Sequence, residues 1–193
     1  MPACPVWRRW TSRPAFLGLV LLALLSATPA PASAAVAPSV ADKARGRLAI
    51  GDSILLGAAS GLRSRGFRVD AEVGRQFSTA LGIVRHYRAQ ERLPGRVIIA
   101  LGTNGYATRT DCHRAVEAAR SRTVYLVNNR VPRAWQGRNN RVLRQCAHDL
   151  RRAHLINWYG WSRGHPAWIA SDGYHLTSVG QRHYTRFVDS RVD

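Results

Sequence analysis

Short, almost wholly apolar runs alternate along this chain with longer stretches whose apolar residues recur every three or four positions. The runs at 47–51, 68–73, 96–101, 123–127 and 154–158 predict five strands. The stretches at 54–65, 79–92, 110–121, 139–153 and 178–192 predict five helices, the last with Ser178 as a candidate cap. The segments RVIIAL (96–101) and TVYLV (123–127) hold few polar residues, as expected of strands covered on both faces. Strand–helix alternation with such strands predicts an α/β fold with a parallel sheet. Right-handed crossovers then place helices on both sides, a three-layer α/β/α sandwich. We expect the flavodoxin-like strand order 2-1-3-4-5. In that order three loop tips meet at one edge of the sheet: Gly51-Asp52-Ser53, Gly74-Arg75-Gln76 and Gly102-Thr103-Asn104. Ligands of open parallel sheets collect at such an edge, where the strand order reverses.

The first 34 residues follow a different pattern. Arg8, Arg9 and Arg13 flank a short apolar run, Ala15 to Leu25, and small residues lead to Ala32-Ser33-Ala34. A basic region, a short apolar stretch and an A-x-A exit describe a secretory signal peptide. The expected organisation is a signal peptide over 1–34, a flexible leader over 35–45 and one domain over 46–193, secreted or associated with the cell wall.

Composition sharpens this reading. The 193 residues carry 29 Lys+Arg against 11 Asp+Glu, a net charge of +18. Removal of residues 1–34 takes three arginines from that figure and leaves +15. A chain so basic is drawn to anionic surfaces such as wall polymers. The arginines are scattered and no nucleic-acid motif is present, so specific nucleic-acid binding is not expected. Hydrophobic residues at 46% exclude a disordered chain, and three cysteines exclude a disulfide-dense scaffold. With Cys4 in the discarded segment, Cys112 and Cys146 remain, an even pair suited to an oxidising compartment. We expect them to form a disulfide; two buried free thiols are the alternative.

Candidate chemistry sits on the loops. Ser53 falls between a strand and a helix, where a hydroxyl reaches the mouth of the sheet; a plain helix cap is the competing role. Asp172-Gly173-Tyr174-His175 precedes the last helix. This spacing lets the carboxylate hold imidazole Nδ1–H and leaves Nε2 free to take a serine proton. The backbone N–H groups of Ser53 and Gly74 and the amide of Asn104 are candidate oxyanion donors. Asn104 could equally be a turn former. Arg75, Gln76 and Tyr174 are candidate substrate-binding residues, with ion pairing or packing as their alternatives.

The four blocks, Gly51-Asp52-Ser53, Gly74, Gly102-Thr103-Asn104 and Asp172-x-x-His175, together resemble the SGNH (GDSL-type) hydrolase family. They come in family order and span most of the chain. A narrower resemblance lies in Ala71-Glu72-Val73-Gly74-Arg75-Gln76, Leu101-Gly102-Thr103-Asn104-Gly105 and Asp172-Gly173-Tyr174-His175-Leu176-Thr177-x-x-Gly180. Val131-Pro132-Arg133-x-Trp135 and Asn157-Trp158-Tyr159 add to it. These look like the extracytoplasmic SGNH domain of peptidoglycan O-acetyltransferases. The resemblance implies a serine esterase or O-acyltransferase acting on small, acetyl-type esters of a glycan through Ser53, His175 and Asp172. It implies no metal and no cofactor. In those proteins the domain follows a membrane acyltransferase module. This sequence departs from that pattern, so a separate membrane acyl-donor protein, or water as the acceptor, is expected.

The histidines at 86, 113, 148, 154, 165 and 183 show no metal-ligand spacing and read as surface or packing residues. Trp135, Trp158, Trp161 and Trp168 are dense enough for some to meet a sugar, although packing accounts for them as well. The competing reading of the whole chain is a non-catalytic, basic wall-binding module that keeps the fold.

Overall fold

A computed structural model describes residues 45–192; the expected signal peptide and most of the leader lie outside the described residues. Five strands, β1 (Arg47–Gly51), β2 (Phe67–Ala71), β3 (Arg96–Ala100), β4 (Thr123–Val127) and β5 (Ala153–Ile156), form one sheet in the order β2-β1-β3-β4-β5. Every pairing is parallel. The expected α/β sandwich and strand order are therefore the ones found.

Because strand residues point alternately to opposite faces, each strand feeds two cores. Leu48, Ile50, Val97, Ile99, Val124 and Leu126 face one way. They pack on α3 (Ala80–Ala89), α4 (Arg109–Ala118) and α5 (Gln136–Asp149) through Ala80, Val84, Ala115, Val116 and Leu143. Ala49, Ile98, Ala100, Tyr125 and Val127 face the other way. They meet α1 (Ser53–Gly57), α2 (Ala59–Arg63), α6 (Trp158–Ser162) and α7 (Ser178–Asp189) through Leu55, Leu62, Trp158, Tyr184 and Phe187. Each fully buried Leu, Ile or Val among them contributes about 1.5–3 kcal/mol of transfer free energy. Cys112 on α4 and Cys146 on α5 form a disulfide within the first of these layers.

Several boundaries differ from the sequence expectation for local reasons. The predicted first helix is two short ones, α1 and α2, separated at Ala58. Strand β2 starts one residue earlier than expected, at Phe67, whose buried ring lies 4.1 Å beneath the Arg47 guanidinium. Strand β5 spans Ala153–Ile156 rather than 154–158, because the Asn157 side chain accepts from Gly160 N–H and opens α6. The cap of α7 is Thr177, not Ser178: its hydroxyl accepts from Gly180 N–H.

Candidate active site

Strand β1 delivers Ser53 to the first position of α1. The residue before it, Asp52, is 1% exposed and works as a clamp. One carboxylate oxygen accepts from Ile54 N–H at 3.0 Å, capping α1; the other accepts from Thr103 N–H at 3.3 Å. Asp52 N–H in turn donates to Ala100 O. The β1 and β3 loop tips are thereby fastened together through one side chain. Burial pushes the Asp52 carboxyl up, and the hydrogen bonds from Ile54 and Thr103 oppose that rise.

The segment before α7 brings up the other partners. His175 Nε2 lies 3.0 Å from Ser53 Oγ, and His175 Nδ1 lies 2.7 Å from Asp172 Oδ2. The second Asp172 oxygen accepts from the backbone N–H groups of Tyr174 and His175, each at 3.0 Å. The Tyr174 N–H bond, helped by the His175 ring and backbone and opposed by partial desolvation, lowers the Asp172 carboxyl to about 2. The loop itself is pinned. Ala170 N–H donates to His175 O, Ile169 bridges Leu176, and Thr177 N–H donates to Trp168 O. Gly173 sits at φ +86°, a conformation that favours glycine.

The remaining predicted residues gather on the adjoining loops. Gly74 is exposed, at φ +76°. The Asn104 amide donates to Arg75 O at 3.3 Å, which ties the β3 tip to the Gly74 turn. The Arg75 guanidinium is taken by Asp70 and Glu72 at 2.8 and 3.2 Å and is mostly covered. Gln76 is exposed. Tyr174 lines a cavity of about 220 Å³ with Thr103, Asn104, Val131, Arg133 and Trp135. The Trp135 indole N–H is buried there without a protein acceptor. Trp158 and Trp168 are buried in the aromatic core, while Trp161 is 37% exposed. His113 and His148 sit beside Asp149, and His154 tilts over Tyr125. Among the described residues, no group of three His, Cys, Asp or Glu side chains could hold a metal.

Sequence reasoning missed four buried asparagines that hold the loops. Asn139 accepts from Ala107 N–H and donates to Gly102 O and Gly105 O, tethering the whole β3 tip. Asn140 and Asn129 exchange two bonds, from Asn129 N–H and to Asn129 O. Asn129 also donates to Leu101 O, and Asn128 joins Asn157 and Tyr159 N–H. The signal was weak: the adjacent pair Asn139-Asn140 opens the predicted 139–153 helix, where asparagine reads as an ordinary cap.

A serine, an imidazole and a carboxylate are thus linked in series at the carboxyl edge of a parallel sheet. No protein-family model matches the sequence. Over 150 residues the chain is 38% identical to "Putative peptidoglycan O-acetyltransferase YrhL" of Bacillus subtilis, covering 77% of this chain and 24% of that protein. It is 33% identical over 144 residues to O-acetyltransferase OatA of Staphylococcus aureus, covering 73% and 24%. The C-terminal catalytic domain of peptidoglycan O-acetyltransferase A from Streptococcus pneumoniae superposes with a TM-score of 0.69 at 22% identity, over 76% of this chain and 92% of that one. A GDSL-like lipase from Bacteroides thetaiotaomicron gives 0.58 at 17%, over 82% and 91%. The fold is that of the SGNH (GDSL-type) hydrolases. In sequence the chain is similar to proteins named peptidoglycan O-acetyltransferase, and it spans about a quarter of their length.

Proposed function

We propose that this domain is an exported serine esterase or O-acyltransferase for acetyl esters of cell-wall glycan. One observation carries the reading: the continuous Asp172–His175–Ser53 hydrogen-bond chain, with links of 2.7 and 3.0 Å. His175 Nε2 takes the Ser53 Oγ proton as Oγ bonds to the acyl carbon. The carbonyl oxygen becomes an oxyanion, received by the N–H groups of Ser53 and Gly74 and by the Asn104 amide. That amide carries two hydrogens, so the bond to Arg75 O leaves one for the oxyanion. His175 then gives its proton to the departing alcohol oxygen, and the C–O bond breaks. Water or a sugar hydroxyl attacks the acyl-Ser53, losing its proton to His175, which returns it to Ser53 Oγ. Asp172 stays ionised and steadies the imidazolium.

The cavity between Asn104 and Tyr174 adjoins the donors and suits the acceptor sugar. Trp135 lines it and supplies an aromatic ring of the kind that packs on sugars. Arg75, committed to Asp70 and Glu72, shapes the Gly74 turn in this reading, while exposed Gln76 and half-buried Tyr174 are left to meet substrate. Export is supported by the N-terminal basic and apolar pattern and by the Cys112–Cys146 disulfide. The acyl group reaches Ser53 as a small ester or from a membrane acyl-donor protein.

The test is covalent labelling by a fluorophosphonate, paired with turnover of p-nitrophenyl acetate in the presence and absence of an acceptor glycan. Labelling of wild type and not of Ser53→Ala is expected, with acetate released to water or transferred to the glycan. An unlabelled wild-type protein that still binds wall polymer would instead be the non-catalytic, wall-binding module.

A further inference from the structure

We infer that the chain carries a second, non-catalytic site that binds phosphate groups, in a basic cavity between α2 and α7. The cavity holds about 350 Å³ and is lined by ten residues, among them Arg65, Arg182 and Arg186 and no carboxylate. Arg182 and Arg186 lie four apart on α7, so their guanidinium groups share one face. Among the described residues neither has an ion-pair partner. Two like charges at that spacing repel and destabilise a helix unless an anion sits between them. The third arginine is positioned in advance. Arg65 Nε lies 3.1 Å from Asp189, which also takes Arg47 at 2.8 Å. One carboxylate thus serves two cations, and the local balance stays positive.

The rest of the lining suits an oxyanion. Ser60, Ser178 and Gln181 supply hydroxyl and amide donors. Thr185, also in the lining, is 3% exposed, and its hydroxyl has no protein partner. The wall opposite α7 is Gly57, Ala58, Ser60 and Gly61. A Cβ at Gly61 would lie 2.7 Å from Thr185 Oγ1, so glycine there lets the two helices close while leaving the cavity open. Guanidinium pairs grip phosphate through two parallel hydrogen bonds. At about 30 Å³ per water, 350 Å³ exceeds one phosphate and leaves room for a flanking polyol. The shared chemistry is therefore a phosphate group, presented either on a phosphodiester polymer or as the free ion. Gly57 ends the helix that Ser53 begins, and Ser178 follows His175 by three residues. A polymer held here runs alongside the catalytic loops without touching Ser53.

Calorimetric titration of the chain with inorganic phosphate and with oligomeric poly(glycerol phosphate), at ionic strength matched by chloride, tests this. Saturable binding is expected. Arg182→Gln/Arg186→Gln should weaken it at least tenfold while p-nitrophenyl acetate turnover stays within twofold of wild type. Arg114→Gln/Arg144→Gln, which removes the same charge from exposed positions on α4 and α5, should leave it within twofold. Tighter binding per phosphate by the oligomer assigns the site to a polymer; equal binding assigns it to the free ion. Equal weakening by both double variants, or no saturable binding by wild type, overturns the proposal. Its failure is separate from that of the esterase reading, because turnover is read independently.

Discussion

On one face of the sheet, α3, α4 and α5 lay down an aliphatic layer stapled by the Cys112–Cys146 disulfide. On the other, α1, α2, α6 and α7 lay down an aromatic layer. There Trp158 meets Tyr184 edge-on at 4.9 Å, and Trp161 stacks on Phe187 at 4.3 Å. Trp168 is sandwiched between His165 and His183 at 3.8 and 4.1 Å. The aliphatic face positions the loops indirectly, through Asn139 and Asn140 on α5. The aromatic face carries Ser53 and His175 themselves, and Trp168 O anchors the backbone of Thr177. On the proposed function, the disulfide lies on one side of the sheet and the chemistry on the other. Changes on the two faces should separate in what they damage.

The largest effect belongs to the aromatic side. His175→Ala should lower kcat/KM for p-nitrophenyl acetate about 10⁴-fold or more, because unaided serine is a poor nucleophile. The melting temperature should hardly move, since the ring is partly exposed. A loss under tenfold would detach His175 from the mechanism. The next effect belongs to the aliphatic side. Cys112→Ser/Cys146→Ser removes a cross-link between residues 34 apart and should cost about 3–4 kcal/mol in urea unfolding. Turnover by the folded fraction should stay near wild type. An equal loss of activity would erase the separation between the faces.

How far the sequence carries this picture depends on the range of the interactions involved. The strands and their order were legible because β3 and β4 are almost uniformly apolar and burial on both faces demands that. Each of the four loop blocks is made of ordinary turn residues, and they were legible only together, as an ordered set that resembles a family pattern. Hidden from view were features set by distant partners. Phe67 joins β2 through Arg47, twenty residues away. Asn139 and Asn140 look like helix residues until Gly102, Gly105 and Asn129 are folded against them. Arg75 looks available until Asp70 and Glu72 enclose it. The Thr177 cap was misplaced by one residue because Thr177 and Ser178 offer the same hydroxyl, and only the Thr177 bond to Ala167 O decides between them.

Gly180→Ala sharpens the contrast from the aromatic side. A Cβ there would meet Trp168 O at 1.9 Å, which nothing short of a shift of α7 can relieve. Such overpacking costs about 1–3 kcal/mol, comparable to or less than loss of the disulfide. The shift also moves Thr177, and with it the loop that sets the 3.0 Å approach of His175 to Ser53. We expect kcat to fall more than tenfold while the unfolding midpoint moves less than in the cysteine double variant. Unchanged kcat would mean that the loop keeps its geometry independently of α7.

The finest test concerns a single proton. The backbone N–H of Tyr174, with help from His175, lowers the Asp172 carboxyl from 3.8 to about 2. A carboxyl depressed in the folded state stabilises that state above its unfolded value and loses this contribution as pH falls through the folded one. From this group, stability should therefore be constant above about pH 5 and should decline progressively as pH falls through 3.8 towards about 2. Carbon-detected NMR of the Asp172 carboxyl should show a midpoint near 2, shared by the amide shift of Tyr174. A midpoint at 3.8 would mean that the Tyr174 and His175 amides do not hold the carboxylate in solution. The orientation of the imidazole would then rest on the 2.7 Å contact alone.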